Sequence, residues 1–197
     1  MNVIKNLLKL FLVYFLLITN SLSTNPSEFI DSISNEASGI LSSKLSDNEK
    51  VTKLKIIAEN SVDIDGVGLY TLGKHRKTLT DEQKIEYKKL FKEYFLKSFS
   101  GRLVVYNDAK IAVLSEEVKN EKYTIVYSKL IGSADRPEVK IDWRVYTKNP
   151  EKPLIRDLVI EGLSLARTQK EEFNSIIENN GGDISALFAN LRKFLEK

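Results

Sequence analysis

Apolar positions recur at helical spacing through the first half of the chain and alternate through most of the second, with the change of period near Gly101. Asn25-Pro-Ser-Glu28 supplies an N-cap, a proline at the first helical position and a glutamate at the third, and Phe29, Ile33, Ala37, Ile40 and Leu41 then share a face. Ser46-Asp-Asn-Glu49 repeats that start signal ahead of Val51, Leu54, Ile57 and Ala58. Asp63 is placed to cap a short helix through Val67, Tyr70 and Leu72, which Gly73 ends in a left-handed conformation. Thr80-Asp-Glu-Gln83 opens the longest periodic segment, in which Ile85, Tyr87, Leu90, Phe91, Tyr94, Phe95 and Phe99 set aromatics on one broad face before a stop near Gly101.

Beyond that point the pattern predicts strands over Leu103–Tyr106, Lys110–Ser115, Tyr123–Leu130, Val139–Tyr146 and Leu154–Glu161, separated by turn-forming residues. The clearest is Val139-Lys-Ile-Asp-Trp-Arg-Val145, where Val139, Ile141, Trp143 and Val145 face one way and Lys140, Asp142 and Arg144 the other. Ser164 caps a helix to about Asn179, Gly181-Gly182 stops it, and Asp183 caps a terminal amphipathic helix. The expected architecture is α+β: N-terminal helices, an antiparallel sheet of about four to five strands, then C-terminal helices.

The N-terminus changes the picture of where the chain works. Met1–Ser23 has Lys5 and Lys9, no acid, the apolar run Leu10–Ile18 and a small-x-small site at Ser21-Leu22-Ser23. That is the layout of a cleavable secretory signal peptide, and the run is short of the roughly 20 residues a membrane span needs. Residues 24–197 then form a single domain. The leader holds two of the 30 Lys and Arg and none of the 27 Asp and Glu, so the rest is close to neutral. Nucleic-acid binding calls for a clustered basic surplus, which is not written here. With no cysteine, disulfides and thiolate chemistry are excluded.

Catalytic constellations are sparse. His75 is the sole histidine, so no His pair can bind zinc, and its place in Gly73-Lys-His-Arg-Lys-Thr78 reads as a solvated turn. Asp63 is explained as a cap, Asp157 and Glu161 lie four apart on a strand, and Gly66-Val-Gly68 lacks the third glycine and preceding strand of a dinucleotide fingerprint.

Two blocks, Leu154-Ile-Arg-Asp-Leu-Val-Ile-Glu-Gly-Leu-Ser-Leu-Ala-Arg-Thr-Gln-Lys-Glu-Glu-Phe173 and, upstream, Ser61-Val-Asp-Ile-Asp-Gly-Val-Gly-Leu-Tyr-Thr-Leu-Gly-Lys-His-Arg-Lys-Thr-Leu-Thr-Asp-Glu-Gln83, resemble the MlaC or toluene-tolerance family of periplasmic phospholipid carriers. The resemblance runs from about Phe29 to the last helix. It implies a curved sheet and helices enclosing an apolar lipid cavity, no enzymatic activity and no cofactor, with phospholipid as cargo. It also implies a periplasmic monomer that exchanges lipid with the inner-membrane Mla ABC transporter complex and the outer-membrane Mla lipoprotein complex, maintaining outer-membrane lipid asymmetry. On that reading the acyl-chain contacts are Val67, Tyr70 and Leu72 on the short helix and Phe91, Phe95 and Phe99 on the long one. Ile141, Trp143 and Val145 on the clear strand and Leu158 and Ile160 on the last complete the set. Arg156, Arg102 and Lys74 are candidate headgroup or partner contacts, and Gly162 and Ser164 fix the strand-to-helix reversal. Two other readings stand beside it: a cone-shaped α+β small-molecule enzyme, which requires a His–Asp or similar dyad in a pocket, and a ligand-free periplasmic adaptor, which requires a sealed core.

Overall fold

The computed structural model describes residues 24–105, 109–132 and 137–197. The expected signal peptide and Tyr106 lie outside them. The described residues form six α-helices and one five-stranded sheet: α1 (Pro26–Leu41), α2 (Asp47–Ser61), α3 (Ile64–Thr71), a 3-10 turn (Gly73–Lys77), α4 (Asp81–Leu103), β1 (Ile111–Asn120), β2 (Tyr123–Leu130), β3 (Val139–Tyr146), β4 (Leu154–Ile160), β5 (Leu163–Ser164), α5 (Leu165–Glu178) and α6 (Ile184–Leu195). The sheet is an antiparallel meander in the order β1-β2-β3-β4-β5.

The helix starts follow from their caps. Asn25 Oδ1 accepts from the Ser27 and Glu28 amides, and Ser46 and Thr80 close reciprocal boxes with Glu49 and Gln83. Asp63 accepts from the Gly66 amide at 2.9 Å, and Ser164 and Asp183 cap α5 and α6. Gly73 adopts φ +55 just past α3, a backbone that suits glycine.

Three expectations need correction. Leu103 continues α4 and Val104–Val105 form a turn, so no strand begins at Leu103; a short apolar run fits a helix end as well as a strand. β1 runs on to Asn120, because the solvated edge of a sheet needs no alternation. Glu161 leaves β4 with φ +48 and accepts the Lys140 amide through its carboxylate at 2.6 Å.

Apolar packing divides into two clusters that meet at Val62. One lies among α3, α4, α5 and α6 and centres on Tyr87, Phe91, Phe173, Ile177, Leu187 and Leu191. Phe91 stacks on Tyr87 at 5.7 Å and meets Phe173 edge-on at 6.2 Å. The other lies between one sheet face and α1, where Ile30 packs with Val126, Trp143, Val145 and Ile155. Val62 pairs with Ile155, and the Asp63 amide donates to the Ile155 carbonyl at 2.9 Å, tying the helical layer to the edge of β4.

Gly68 makes close α3–α4 packing possible. A Cβ there would stand 2.7 Å from Phe91 Cδ1, and the Gly68 carbonyl accepts from the Thr71 and Tyr87 hydroxyls at 2.8 and 3.2 Å. Burial pushes the Tyr87 phenol well above its ordinary pKa, so it stays a donor. Gly68→Ala is expected to cost about 1–3 kcal/mol through forced repacking of Phe91, read as a lowered melting temperature.

Candidate functional site

The two faces of the sheet differ in chemistry. Pairing sets Tyr123, Ile125 and Tyr127 of β2 beside Asp142 and Arg144 of β3 and Val159 of β4 on one face. Val126, Ile141, Trp143, Val145, Ile155 and Leu158 occupy the other. Between the pairs Arg144–Asp157 and Val145–Ile155 the register shifts by one, leaving Arg156 unopposed in a bulge.

A cleft of about 860 Å³ opens on the first face, beneath α3 and the start of α5. Val67, Leu69, Tyr70, Ile125, Val159 and Ala166 give it apolar surface, but Arg76, Lys119, Arg144, Arg156, Asp142 and Asp157 also line it. Arg156 is locked there. Its Nε lies 2.6 Å from Asp63 Oδ2, its Nη1 donates to the Tyr123 hydroxyl at 2.7 Å, and its guanidinium carbon sits 3.5 Å from the Tyr146 ring centroid. Asp157 is buried and accepts from Ser164 Oγ at 2.6 Å and the Ala166 amide at 3.0 Å, which fixes the turn into α5. These pairs make the cleft a polar, ion-paired place. Acyl methylenes laid in it would strip water from charged walls at a cost.

The other face is largely apolar, with Thr124 and Ser128 buried on it, and grades from closed to open along the strands. At one end Val145 is 0 % exposed, with Thr124 and Ile155 also buried. At the opposite end the row Ile111–Leu130–Val139 is only half-buried, and in the next row Ile141 is followed by half-buried Ile160 and by Leu163 at 57 % exposure. Contacts Phe91–Phe173 and Tyr94–Gln169 run α4 and α5 antiparallel. That brings Phe95 and Phe99, stacked at 5.8 Å and half-buried, toward the first turn of α5, where Leu165 is 39 % exposed. Val105 and Ile131, at the chain's entry to and exit from the first hairpin, are exposed as well. Apolar side chains are thus left short of full burial at the Ile111–Leu130–Val139 end of this sheet face and, separately, on α4 and at the start of α5, the kind of surface an apolar ligand uses.

The eleven residues singled out from sequence therefore separate. Ile141, Trp143, Leu158 and Ile160 share the apolar face with Val145, but Val145 lies at its closed end. Phe95 and Phe99 are half-buried and pack on the helical cluster to which Val67, Leu72 and Phe91 belong, and Val67 also lines the cleft. Tyr70, 41 % exposed, opens on the polar cleft under Lys170. Sequence reasoning missed Leu163 and Leu165. The signal was present as an apolar pair flanking a cap residue, but cap logic alone absorbed it. Of the candidate headgroup cations, Arg156 is already engaged and Lys74 pairs with Glu178 at 2.7 Å, which holds that carboxyl below its usual pKa range. Arg102 lies in the last turn of α4.

His75 is corrected from a solvated turn residue to a clamp: its side chain is 12 % exposed, with Nε2 3.1 Å from Asn174 Oδ1 and 3.4 Å from Glu178 Oε1. It pins the 3-10 turn to α5, away from the apolar face. His75→Ala is expected to cost about 1 kcal/mol of stability and to leave ligand uptake within a fewfold of wild type, measured by melting and by lipid extraction side by side. Among the described residues no group of three or more His, Cys, Asp or Glu is placed to hold a metal, and no helix is long and apolar enough to cross a membrane.

Comparison with known proteins agrees with this architecture. The phospholipid-binding protein from Ralstonia solanacearum, solved in complex with a phospholipid, matches 88 % of this chain and 98 % of its own with a TM-score of 0.73, at 18 % sequence identity. At that identity the likeness speaks to the fold. No curated protein matches the sequence. The family model described as MlaC protein matches residues 31–193, spanning both blocks and every element from α1 into α6, and the chain belongs to the MlaC family.

Proposed function

We propose that this chain binds a phospholipid and carries it as cargo, with acyl chains on the open end of the apolar sheet face and the headgroup at the rim. The observation that carries this reading is the gradient of burial on that face: Leu130, Val139, Leu158 and Ile160 are half-buried and Leu163 exposed, where Val126, Val145 and Ile155 are closed off. Membership of the MlaC family and the bound phospholipid of the Ralstonia protein support the same ligand class. A diacyl lipid has on the order of 30 methylenes at about 0.8 kcal/mol each, so passage through water costs roughly 20 kcal/mol unless a protein surface replaces the membrane. Tails are held by apolar area rather than by hydrogen bonds, which accounts for a site without a polar constellation. The role is transport rather than catalysis. Residues 1–23 would direct export to the periplasm and be removed, and the exchange partners would be the inner-membrane and outer-membrane complexes of the Mla pathway.

The test is to express the full chain with its leader, recover the exported protein and analyse solvent-extracted lipid by mass spectrometry. Near-stoichiometric phospholipid is expected. Lipid-free protein that also takes up no phospholipid from vesicles would overturn the reading.

A further inference from the structure

On the apolar face the largest side chain stands at the boundary between the closed and open ends, and it is held in place by a polar contact. Trp143, the only tryptophan, lies opposite Val126 and Leu158. On one side of this row Thr124, Val145 and Ile155 are buried; on the other, Ser128 and Ile141 stay buried while Ile160 beside them and the next row, Leu130–Val139, are half-buried. The indole Nε1–H donates to Ser128 Oγ at 2.8 Å, and Ser128 Oγ donates in turn to the Ile141 carbonyl at 2.9 Å. Ser128 is itself 2 % exposed. A buried indole N–H needs an acceptor, and this one fixes the ring's orientation as well as satisfying it. A buried serine on this largely apolar face is accounted for by that contact.

Resting on the phospholipid reading, we infer that Trp143, pinned by Ser128, is the end wall of the acyl site and sets the length of chain the protein accepts. From Trp143 to the rim at Val139 is four residues along an extended strand, roughly 13 Å. A chain longer than the site's depth leaves methylenes at the rim in water, whereas a shorter one leaves the wall uncovered. Ser128 acts as a positioning residue: without its hydroxyl the indole loses its acceptor and its fixed tilt, and the wall loses definition.

The experiment offers purified lipid-free full-length protein to vesicles of phosphatidylglycerol carrying an equimolar ladder of mono-unsaturated chains, from myristoleoyl to eicosenoyl, and reads the captured distribution by mass spectrometry. Wild type is expected to show a peaked distribution. Trp143→Leu is expected to shift it toward longer chains, by roughly fourfold in relative capture for each methylene newly admitted. Trp143→Phe is expected to give a smaller shift in the same direction, and Ser128→Ala to broaden the peak. The conservative Trp143→Phe and Ser128→Ala keep the test alive if Trp143→Leu does not fold. Capture by wild type with an identical ladder in the folded variants would overturn the end-wall role while leaving phospholipid binding intact. Failure of wild type to capture any member of the ladder would instead remove the reading on which the inference rests.

Discussion

Val145→Glu is expected to abolish the folded state, whereas Ile160→Glu keeps the fold and loses bound phospholipid. Both positions lie on the same apolar sheet face, so neither side-chain chemistry nor strand alternation separates them. Burial does. Val145 is 0 % exposed beneath α1 and opposite buried Ile155, where a carboxylate has no partner and no water. An uncompensated buried charge costs about 3–5 kcal/mol, to which the lost packing of the valine adds, against a total stability of about 5–15 kcal/mol. Ile160 sits half-buried beside exposed Leu163, so a carboxylate there can hydrate at the rim. Its expected cost in stability is about 1 kcal/mol, while an acyl chain laid against it loses an apolar contact and meets a charge. Melting curves taken alongside lipid extraction check both: an unfolded Val145→Glu and a folded, lipid-poor Ile160→Glu are expected. A folded Val145→Glu, or an Ile160→Glu that retains its lipid, would contradict the placement of the open end.

The second large effect belongs to Asp157→Ala. Asp157 is buried, and its two oxygens accept from Ser164 Oγ and the Ala166 amide, with Arg144 Nη1 at 3.5 Å. Removing the carboxylate leaves two donors without acceptors at the start of α5, each worth about 1–3 kcal/mol when buried. A combined loss of about 4 kcal/mol corresponds to a melting temperature lowered by roughly 10 °C for a chain of this length. Asp142→Ala, on the same sheet face but only half-buried, serves as the control and is expected to move stability by no more than about 0.5 kcal/mol. Equal melting temperatures for the two variants would show that the reversal from β4 into α5 does not depend on Asp157.

The elements that were legible from sequence are those specified locally. Asn25, Ser46, Asp63, Thr80, Ser164 and Asp183 each cap the helix their spacing announced, because an N-cap needs only its own next three residues. The alternation of Val139–Val145 likewise gave both faces of β3. Tertiary relationships were not legible. The bulge at Arg156 shifts β4 so that Ile155, Leu158 and Ile160 share the apolar face, a change of parity that no alternation count contains. The same bulge sends Arg156 into a lock with Asp63, Tyr123 and Tyr146 instead of leaving it free for a headgroup. Nor does the sequence distinguish Val145 from Ile141, since which end of a strand lies under α1 is decided by packing far along the chain. Leu103–Val105 and Glu116–Asn120 were misread for opposite reasons: one is apolar without being a strand, the other is a strand without being apolar.

On the proposed reading, acyl chains lie on the apolar sheet face and not in the charged cleft behind it. Photo-crosslinking tests it most directly, using phosphatidylglycerol with a diazirine near the end of one acyl chain, bound to the full-length protein and mapped by peptide mass spectrometry. Adducts are expected on the peptides carrying Leu130, Val139–Trp143 and Leu158–Leu165. Adducts concentrated instead on Gly66–Tyr70 of α3 and Tyr123–Tyr127 of β2, the walls of the opposite cleft, would contradict it.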